Sequence, residues 1–472
     1  DLHTMSDQPN IVVFISDEHD PAVTGCYGDP LVRTPHLDRL AAEGVTFDNC
    51  YTASPLCVPA RLAFTAGQYV SRCGAWNNTT MLPSDDYPSL PRALAAAGYQ
   101  SFLCGKQHYD KSRRYGFTDL IPDLHSNNVT KRLNGGRREP TNTDTHHQGW
   151  LSRAAQFYPA DHGGILDHDR TVTEHAVEFL RTRQRDDGPF FLFVGHLAPH
   201  FPLIVPQGYY DHYRGRVPMP DIPDGMIDNL PLNYKHLRYG FGLTDTDPDV
   251  VQKGRDLYWA LTEWFDNEVG QVLDALRASP VAENTVVIYT SDHGENKGDH
   301  GLWWKNNMYD HAARIPLIAH YPQRWSGGQR RAEACGLLDL VQTIIDLADG
   351  EAPGTFDGDS LLPWLDDAGH AWKDMAVSEY YGHNVASGFT MIRQGRYKYV
   401  YHARMNEQFG PERELYDMQA DPGEKHNLAS TPGHEDIMAR LHRAMVAEIG
   451  REPDDIEQQY RDDISRALAA RD

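Results

Sequence analysis

Four short strand patterns punctuate the chain, at residues 10–16, 100–104, 189–194 and 285–290. The first is a continuous apolar run, as expected of a strand buried on both faces of a parallel sheet, and the other three are expected to be strands as well. Between them the period changes to that of helices. Thr34 as cap, Pro35 at the first position, Leu37, Leu40 and Ala41 on one face and Gly44 as stop predict one helix. Residues 90–97, 171–183, 251–276 and 338–347 predict four more, and 315–319 a further strand. Near Asp374 the texture changes. Residues 376–380, 388–392 and 397–401 alternate as in an antiparallel sheet, and 435–449 carry Ile437, Leu441, Met445 and Ile449 on one helical stripe. The chain is therefore read as an α/β domain over 1–373 followed by a smaller α+β domain over 374–472. Residues 111–164 and 203–250 are polar and aperiodic, and are read as long excursions of the kind that rim binding sites.

Each strand pattern empties into polar residues. The first is followed by Asp17-Glu18-His19, the second by Lys106-Gln107-His108, and the third by a proline-rich loop holding His196 and His200. The fourth is followed by Asp292-His293, with Lys305 a little further on. Two carboxylates at the end of a buried strand repel each other, and a cation is the usual remedy. Taken singly, these are equally a solvated acidic loop, a surface lysine and structural histidines. Four strand ends equipped alike point instead to one site, because open α/β sheets build their sites at the carboxyl ends of strands.

The pentapeptide Cys57-Val58-Pro59-Ala60-Arg61 gives that site a reactive atom. Pro59 suits the first position of a helix that Gly67 stops, which leaves Cys57 at a helix mouth. Unpaired N–H groups and the helix dipole favour an anion there, and Arg61 follows one turn later as a permanently charged clamp. Asn77-Asn78 are expected to border the same pocket. The basic piece 131–138 reads as a solvated charge run or as a contact for an anionic substrate.

A formal net charge of −23 excludes a broad nucleic-acid or anionic-membrane surface, since either needs clustered Lys and Arg. No apolar run reaches 18 residues and no signal sequence is visible, so a cytoplasmic protein is expected, or a periplasmic one if a precursor segment was removed. Six scattered cysteines have neither a disulfide framework nor zinc spacing, and all but Cys57 are expected to be plain thiols.

The pattern Cys-x-Pro-x-Arg resembles the signature of type I sulfatases, of the alkaline phosphatase superfamily. The resemblance continues in family order through residues 10–17, 34–40, Gly105-Lys106, Pro199-His200, 291–294, Lys305 and 414–417. It implies an α/β fold with a large mixed sheet flanked by helices and a smaller C-terminal domain with an antiparallel sheet and a helix. It implies that Cys57 is converted to formylglycine by a formylglycine-generating or sulfatase-maturating enzyme, the hydrated aldehyde being the nucleophile. One divalent ion, Ca²⁺ first and Mn²⁺ as the alternative, is implied on Asp17, Glu18, Asp292, His293 and residue 57. Arg61 and Lys106 are implied to hold nucleophile and sulfate, His108 to assist at the aldehyde diol, and His200 with Lys305 to face the leaving group. Asn78 and His196 are expected to touch the substrate, a small organic sulfate ester, and a homo-oligomer is expected.

A sulfate ester carries one negative charge and reacts slowly, so its hydrolysis needs a strong nucleophile, charge neutralisation at the sulfuryl oxygens and a proton for the departing oxygen. The residues above supply all three, with His200 expected as the proton donor and Lys305 as alternate. Two positions depart from the commoner family pattern: Glu18 where many members carry Asp, and His293 where others carry Asn. Two rival readings stay open. One is a phosphonate monoester or phosphodiester hydrolase of the same superfamily, and the other a non-catalytic anion-binding protein with unmodified Cys57.

Overall fold

The computed structural model describes residues 8–122 and 136–470. In chain order its strands are β1 (Asn10–Ser16), β2 (Val45–Tyr51), β3 (Gln100–Gly105), β4 (Thr118–Asp119), β5 (Tyr158–Pro159), β6 (Phe190–Gly195) and β7 (Ile204–Val205). They continue with β8 (Thr285–Ser291), β9 (Arg314–His320), β10 (Gln329–Gly336), β11 (Met375–Tyr380), β12 (Phe389–Gln394), β13 (Tyr397–His402) and β14 (Glu412–Asp417). The large sheet has the order β10-β2-β9-β8-β1-β6-β3-β4, mostly parallel, with β9 antiparallel to both its neighbours. β1 lies inside it because it is apolar on both faces. Val12 and Phe14 enter one core layer, and Ile11, Val13 and Ile15 the other.

The neighbours β8, β1, β6 and β3 are all parallel, so their carboxyl ends lie along one edge of the sheet. Ser16 is level with Ser291, and Gly105 with Gly195. That last pair has a steric reason. A Cβ on Gly105, whose φ is +107°, would run into Gly195 O, and a Cβ on Gly195 would run into the Lys106 backbone. Without side chains the strands close up, and Lys106 N–H donates to Gly195 O at 2.8 Å.

The helix Cys57–Ala66 is buried at every residue. It begins two residues earlier than expected: Leu56 is the N-cap, Cys57 itself is helical, and Pro59 is the third residue. Proline is still tolerated there, because the first-turn N–H groups have no carbonyl partner within the helix. β11–β14 form a separate antiparallel sheet, against which the helix Glu435–Ile449 packs. The excursions are more ordered than their polarity suggested, since they hold helices His147–Ala154, Gln207–Tyr213 and Leu232–Phe241. Of the basic piece 131–138, residues 131–135 lie outside the described residues. Arg137 is neither solvated nor free for a substrate: it pairs with Glu457 through both terminal nitrogens, at 3.0 and 3.1 Å, over the Tyr460 ring. Among the described residues no helix is long and apolar enough to cross a membrane.

Candidate active site

Cys57 Sγ is almost fully buried, 3.2 Å from His293 Nε2 and 3.7 Å from Asp17 Oδ1. One ligand atom from each of Asp17, Cys57, Asp292 and His293 lies within 4.8 Å of the others. Backbone hydrogen bonds fix the orientation. Asp292 Oδ1 accepts from the N–H of Glu18 at 3.2 Å and of His293 at 2.9 Å. His293 Nδ1 lies 3.0 Å from Gly294 O; a carbonyl only accepts, so Nδ1 carries the proton and Nε2 presents its lone pair to the cluster.

Arg61 binds this cluster from inside its helix. Its Nε donates to Asp292 Oδ2 at 2.8 Å, Nη2 to Asp17 Oδ2 at 3.0 Å and Nη1 to Lys106 O at 2.8 Å. Lys106 Nζ donates to the same Asp17 oxygen as Arg61 does. Burial pushes the Asp17 carboxyl up, but the fixed cations Lys106 and Arg61 outweigh it and hold the group well below the usual carboxylate range. Burial also pushes the Cys57 thiol up to about 12, reinforced by Asp17 and opposed by Lys106 and Lys305.

Glu18 belongs to a second group, with Asp17 and His200, rather than to the four-residue cluster expected to include it. Its longer side chain reaches sideways. Lys305 Nζ donates to Glu18 Oε1 at 2.8 Å, while Oε2 is buried and accepts no hydrogen bond, His200 Nε2 standing 3.4 Å away. Burial raises Glu18 to about 7 despite Lys305. His200 Nδ1 faces Phe201 O and so carries the ring proton, which leaves Nε2 to accept from Lys305 Nζ at 3.3 Å. His200 in this state has no proton to give from Nε2, and Lys305 has. Glu18, His108, Trp304 and Asn306 all have left-handed backbone, φ between +60° and +80°, unusual for residues other than glycine and concentrated at functional sites.

Asn78 Oδ1 accepts from Val58 N–H at 3.1 Å, beside residue 57. With Asn77, Gln148, Arg153, Phe241 and His383 it lines a cleft of about 710 Å³. The loop that carries Lys305 is tied to the Cys57 side by Asn306 N–H donating to Pro55 O at 3.1 Å, and to the C-terminal sheet by Asn306 Nδ2 donating to Tyr380 Oη at 2.9 Å.

The sulfatase family model matches residues 9–350, which includes every strand end just described. The chain belongs to the sulfatase family. A second model, for the C-terminal part of N-sulphoglucosamine sulphohydrolase, matches residues 298–450 of this sulfatase. It is similar to the uncharacterized sulfatase YidJ of Escherichia coli, 29% identical over 93% of this chain and 86% of the relative. It is equally similar to the choline-sulfatase of Rhizobium meliloti, 29% identical over 90% of this chain and 83% of the relative. In fold it resembles the phosphonate monoester hydrolase of Agrobacterium radiobacter, with a TM-score of 0.76 over 96% of both chains at 20% identity. As a sulfatase the protein is by class a sulfuric ester hydrolase.

The structure does not bring His196 to the cluster. Its ring is buried between the helix Gly164–Thr182 and the helix Pro248–Arg277, bonded to Thr173 Oγ1 at 3.1 Å and edge-on to Phe265. The residue immediately after a strand turns its side chain to one sheet face, and here that face is core. Burial lowers its pKa to about 4, with Asp169 raising and His168 lowering it. A histidine whose folded pKa is depressed takes up its proton first in the unfolded chain, so its contribution is intact above about pH 6.5 and is lost as pH falls towards 4. We therefore expect the parent to lose about 2 kcal/mol more stability than His196→Gln between pH 7.5 and 5.0. Denaturant midpoints at the two pH values check this, equal losses being the contrary result.

Two further residues border the site without being expected there: Glu295, whose Oε1 accepts from the N–H groups of Lys297 at 2.8 Å and Trp304 at 2.5 Å and so shapes the Lys305 loop, and Arg153, which sits in a segment without periodicity. Glu295 alone left a signal, by following Asp292-His293 at the same strand end.

Proposed function

We propose that this sulfatase hydrolyses a sulfate monoester at residue 57, matured from cysteine to formylglycine, beside one divalent ion. The observation that carries the reading is the convergence of Cys57, Asp17, Asp292 and His293 on one point, with Arg61 and Lys106 locked to the same carboxylates. The donor set fits such an ion. Two aspartate carboxylates and the Nε2 lone pair of His293 converge with residue 57 within 4.8 Å, an oxygen-rich donor set of the kind a divalent ion takes. The buried, unbonded Glu18 Oε2 is an acceptor still lacking a partner. Asp17, Asp292 and His293 would hold the ion with residue 57, and the unpartnered Oε2 of Glu18 is the fifth candidate ligand. Carboxylates favour Ca²⁺, and the single imidazole makes Mn²⁺ the alternative.

When present, the ion and the hydrated aldehyde supply a Lewis acid and an acidified oxygen nucleophile. The chain's own residues do the rest. Arg61 and Lys106 orient residue 57 and offset charge on the sulfuryl oxygens. Lys305 holds the proton nearest the leaving oxygen, and His200 Nε2, as its acceptor, keeps the ammonium aimed. His108, at the end of β3, is the base assigned to residue 57 when sulfate departs.

Turnover of 4-nitrophenyl sulfate and of an aryl phosphonate monoester tests this, using protein stripped with chelator and reloaded with Ca²⁺ or Mn²⁺. The Cys57 peptide is weighed in parallel. We expect loss of activity on stripping, recovery on reloading and preference for the sulfate. Preference for the phosphonate moves the assignment to the rival hydrolase. An unmodified Cys57 with tight sulfate binding and no turnover moves it to an anion-binding protein.

A further inference from the structure

The cleft beside residue 57 contains one fixed charge that the reaction just described does not use. Arg153 lies on the helix His147–Ala154, which Gly149 allows to sit against the end of the helix Leu232–Phe241: a Cβ there would come 2.9 Å from Phe241 O. Trp150, on the same helical face one turn earlier, is buried against Phe157, Trp303 and Trp304 and fixes the helix in rotation. The Arg153 guanidinium is thereby placed 4.3 Å from the Phe201 ring centre, 4.1 Å from that of Trp304 and 5.2 Å from that of Phe241. Among the described residues no carboxylate pairs with it and no hydrogen bond engages its side chain.

Phe201 ties this cation to the reaction. On the same ring, His200 stacks at 4.3 Å and Lys305 Nζ stands 5.3 Å from the centre. Trp304 directly precedes Lys305. Arg153 is therefore one aromatic ring away from the two groups that face the leaving oxygen, on the side where the alcohol half of the ester must lie. The other walls of the cleft are amides, hydroxyls, imidazoles and the Phe241 ring, among them Asn78, Gln148, Ser152 and His383, with no acidic residue among the described residues. Without a carboxylate there, and with the Phe241 ring already turned to Arg153, these walls do not attract an alkylammonium group. An arginine held by ring faces alone keeps its fork of N–H donors unspent, and that fork matches an oxyanion.

We propose that Arg153 is the specificity residue for a second oxyanion, a carboxylate or a further sulfate, carried by the alcohol half of the substrate. This rests on residue 57 as the point of attack. The substrate class is then a doubly anionic organic sulfate with polar, hydroxyl-bearing surroundings, in place of a neutral aryl or a choline-like ester. Burial draws the Arg153 pKa down to about 10, opposed by the more distant Glu18, Glu295 and Cys57, none of which bonds it.

The test compares 4-nitrophenyl sulfate with its ring-carboxylated, ring-sulfated and trimethylammonio-substituted analogues, on metal-loaded protein with converted residue 57. The matching phosphonate monoesters form a second series. The parent is expected to favour the doubly anionic esters over the cationic one. Arg153→Met is expected to lower kcat/KM for those esters at least about 10-fold more than for 4-nitrophenyl sulfate, the size of a lost charged hydrogen bond. Arg153→Lys, which keeps charge without the fork, falls between, and the better of the carboxylated and sulfated esters names the anion. Thermal melting verifies that each variant is folded. If the parent shows no preference for the doubly anionic esters, or Arg153→Met retains the parent's preference, the proposal is overturned while the sulfatase reading stands. Turnover in neither series overturns residue 57 as the point of attack, and this proposal with it.

Discussion

Cys57→Ala is expected to lower kcat/KM for an aryl sulfate by at least about 10⁴-fold, the scale on which removing a covalent nucleophile acts. The fold should hardly notice. Residue 57 contributes only its sulfur contacts to His293 and Asp17, and alanine continues a helix that is already buried. Thermal melting of the variant is expected close to that of the parent, which separates a chemical loss from a structural one. The unmodified thiol does not explain activity either. Burial holds it near 12, so almost none of it is thiolate at neutral pH, and a cysteine hydrolase needs the thiolate. Activity surviving in Cys57→Ala sinks the nucleophile.

Asp17→Asn should damage stability and activity together. Asp17 is fully buried and accepts from both Arg61 and Lys106, and Arg61 retains Asp292 when it is gone whereas Lys106 retains nothing comparable. Removing one partner of a buried ion pair leaves an uncompensated charge and costs about 3–5 kcal/mol. Activity should become undetectable, because the change also removes one of the carboxylates on which the ion would sit. Adding Lys106→Met distinguishes the two effects. The double variant is expected to recover part of the lost stability, since no charge is then stranded, and none of the activity. Denaturant midpoints with bound-metal stoichiometry provide the check; a double variant less stable than Asp17→Asn contradicts this account of Asp17.

Of the strands that build the site, β3 opens on Gln100 and Ser101 and has only Phe102-Leu103-Cys104 as an apolar stretch. The others, β1, β6 and β8, were legible because each is a nearly continuous apolar run, and a run buried on both faces needs no partner to declare itself. β2 and β10 were not. Val45–Tyr51 contains Asp48 and Asn49, and Gln329–Gly336 exposes Arg330, Ala332 and Glu333 at a sheet edge, so neither has a clean period. The last helix, Pro453–Ala469, buries little beyond Ile456, Glu457 and Tyr460 and reads as a charged tail. In the site, residue types at strand ends predicted which side chains converge, but not their directions. Spacing alone does not say that His196 turns into the core while His200, four residues on, reaches Lys305. Nor does it say that Glu18 reaches Lys305 and groups with Asp17 and His200 instead of with Cys57, Asp292 and His293. Arg153 was hidden for another reason: its setting is made by rings from three distant segments, which no local pattern records.

The pairing of β1 has a consequence for how the protein acquires its activity. Asn10 lies opposite Thr285 and Ile11 opposite Phe191, so the strand that ends in Asp17 finds its neighbours only after long stretches of chain have been gathered in. Closing loops of that size spends chain entropy before any contact returns it, and folds dominated by such contacts form slowly. Cys57, Lys106 and Asp292 arrive on three separate segments, and no hairpin or helix pair contains even two of them. Local structure formed early in folding therefore holds no partial version of the site, and turnover belongs to the closed sheet as a whole.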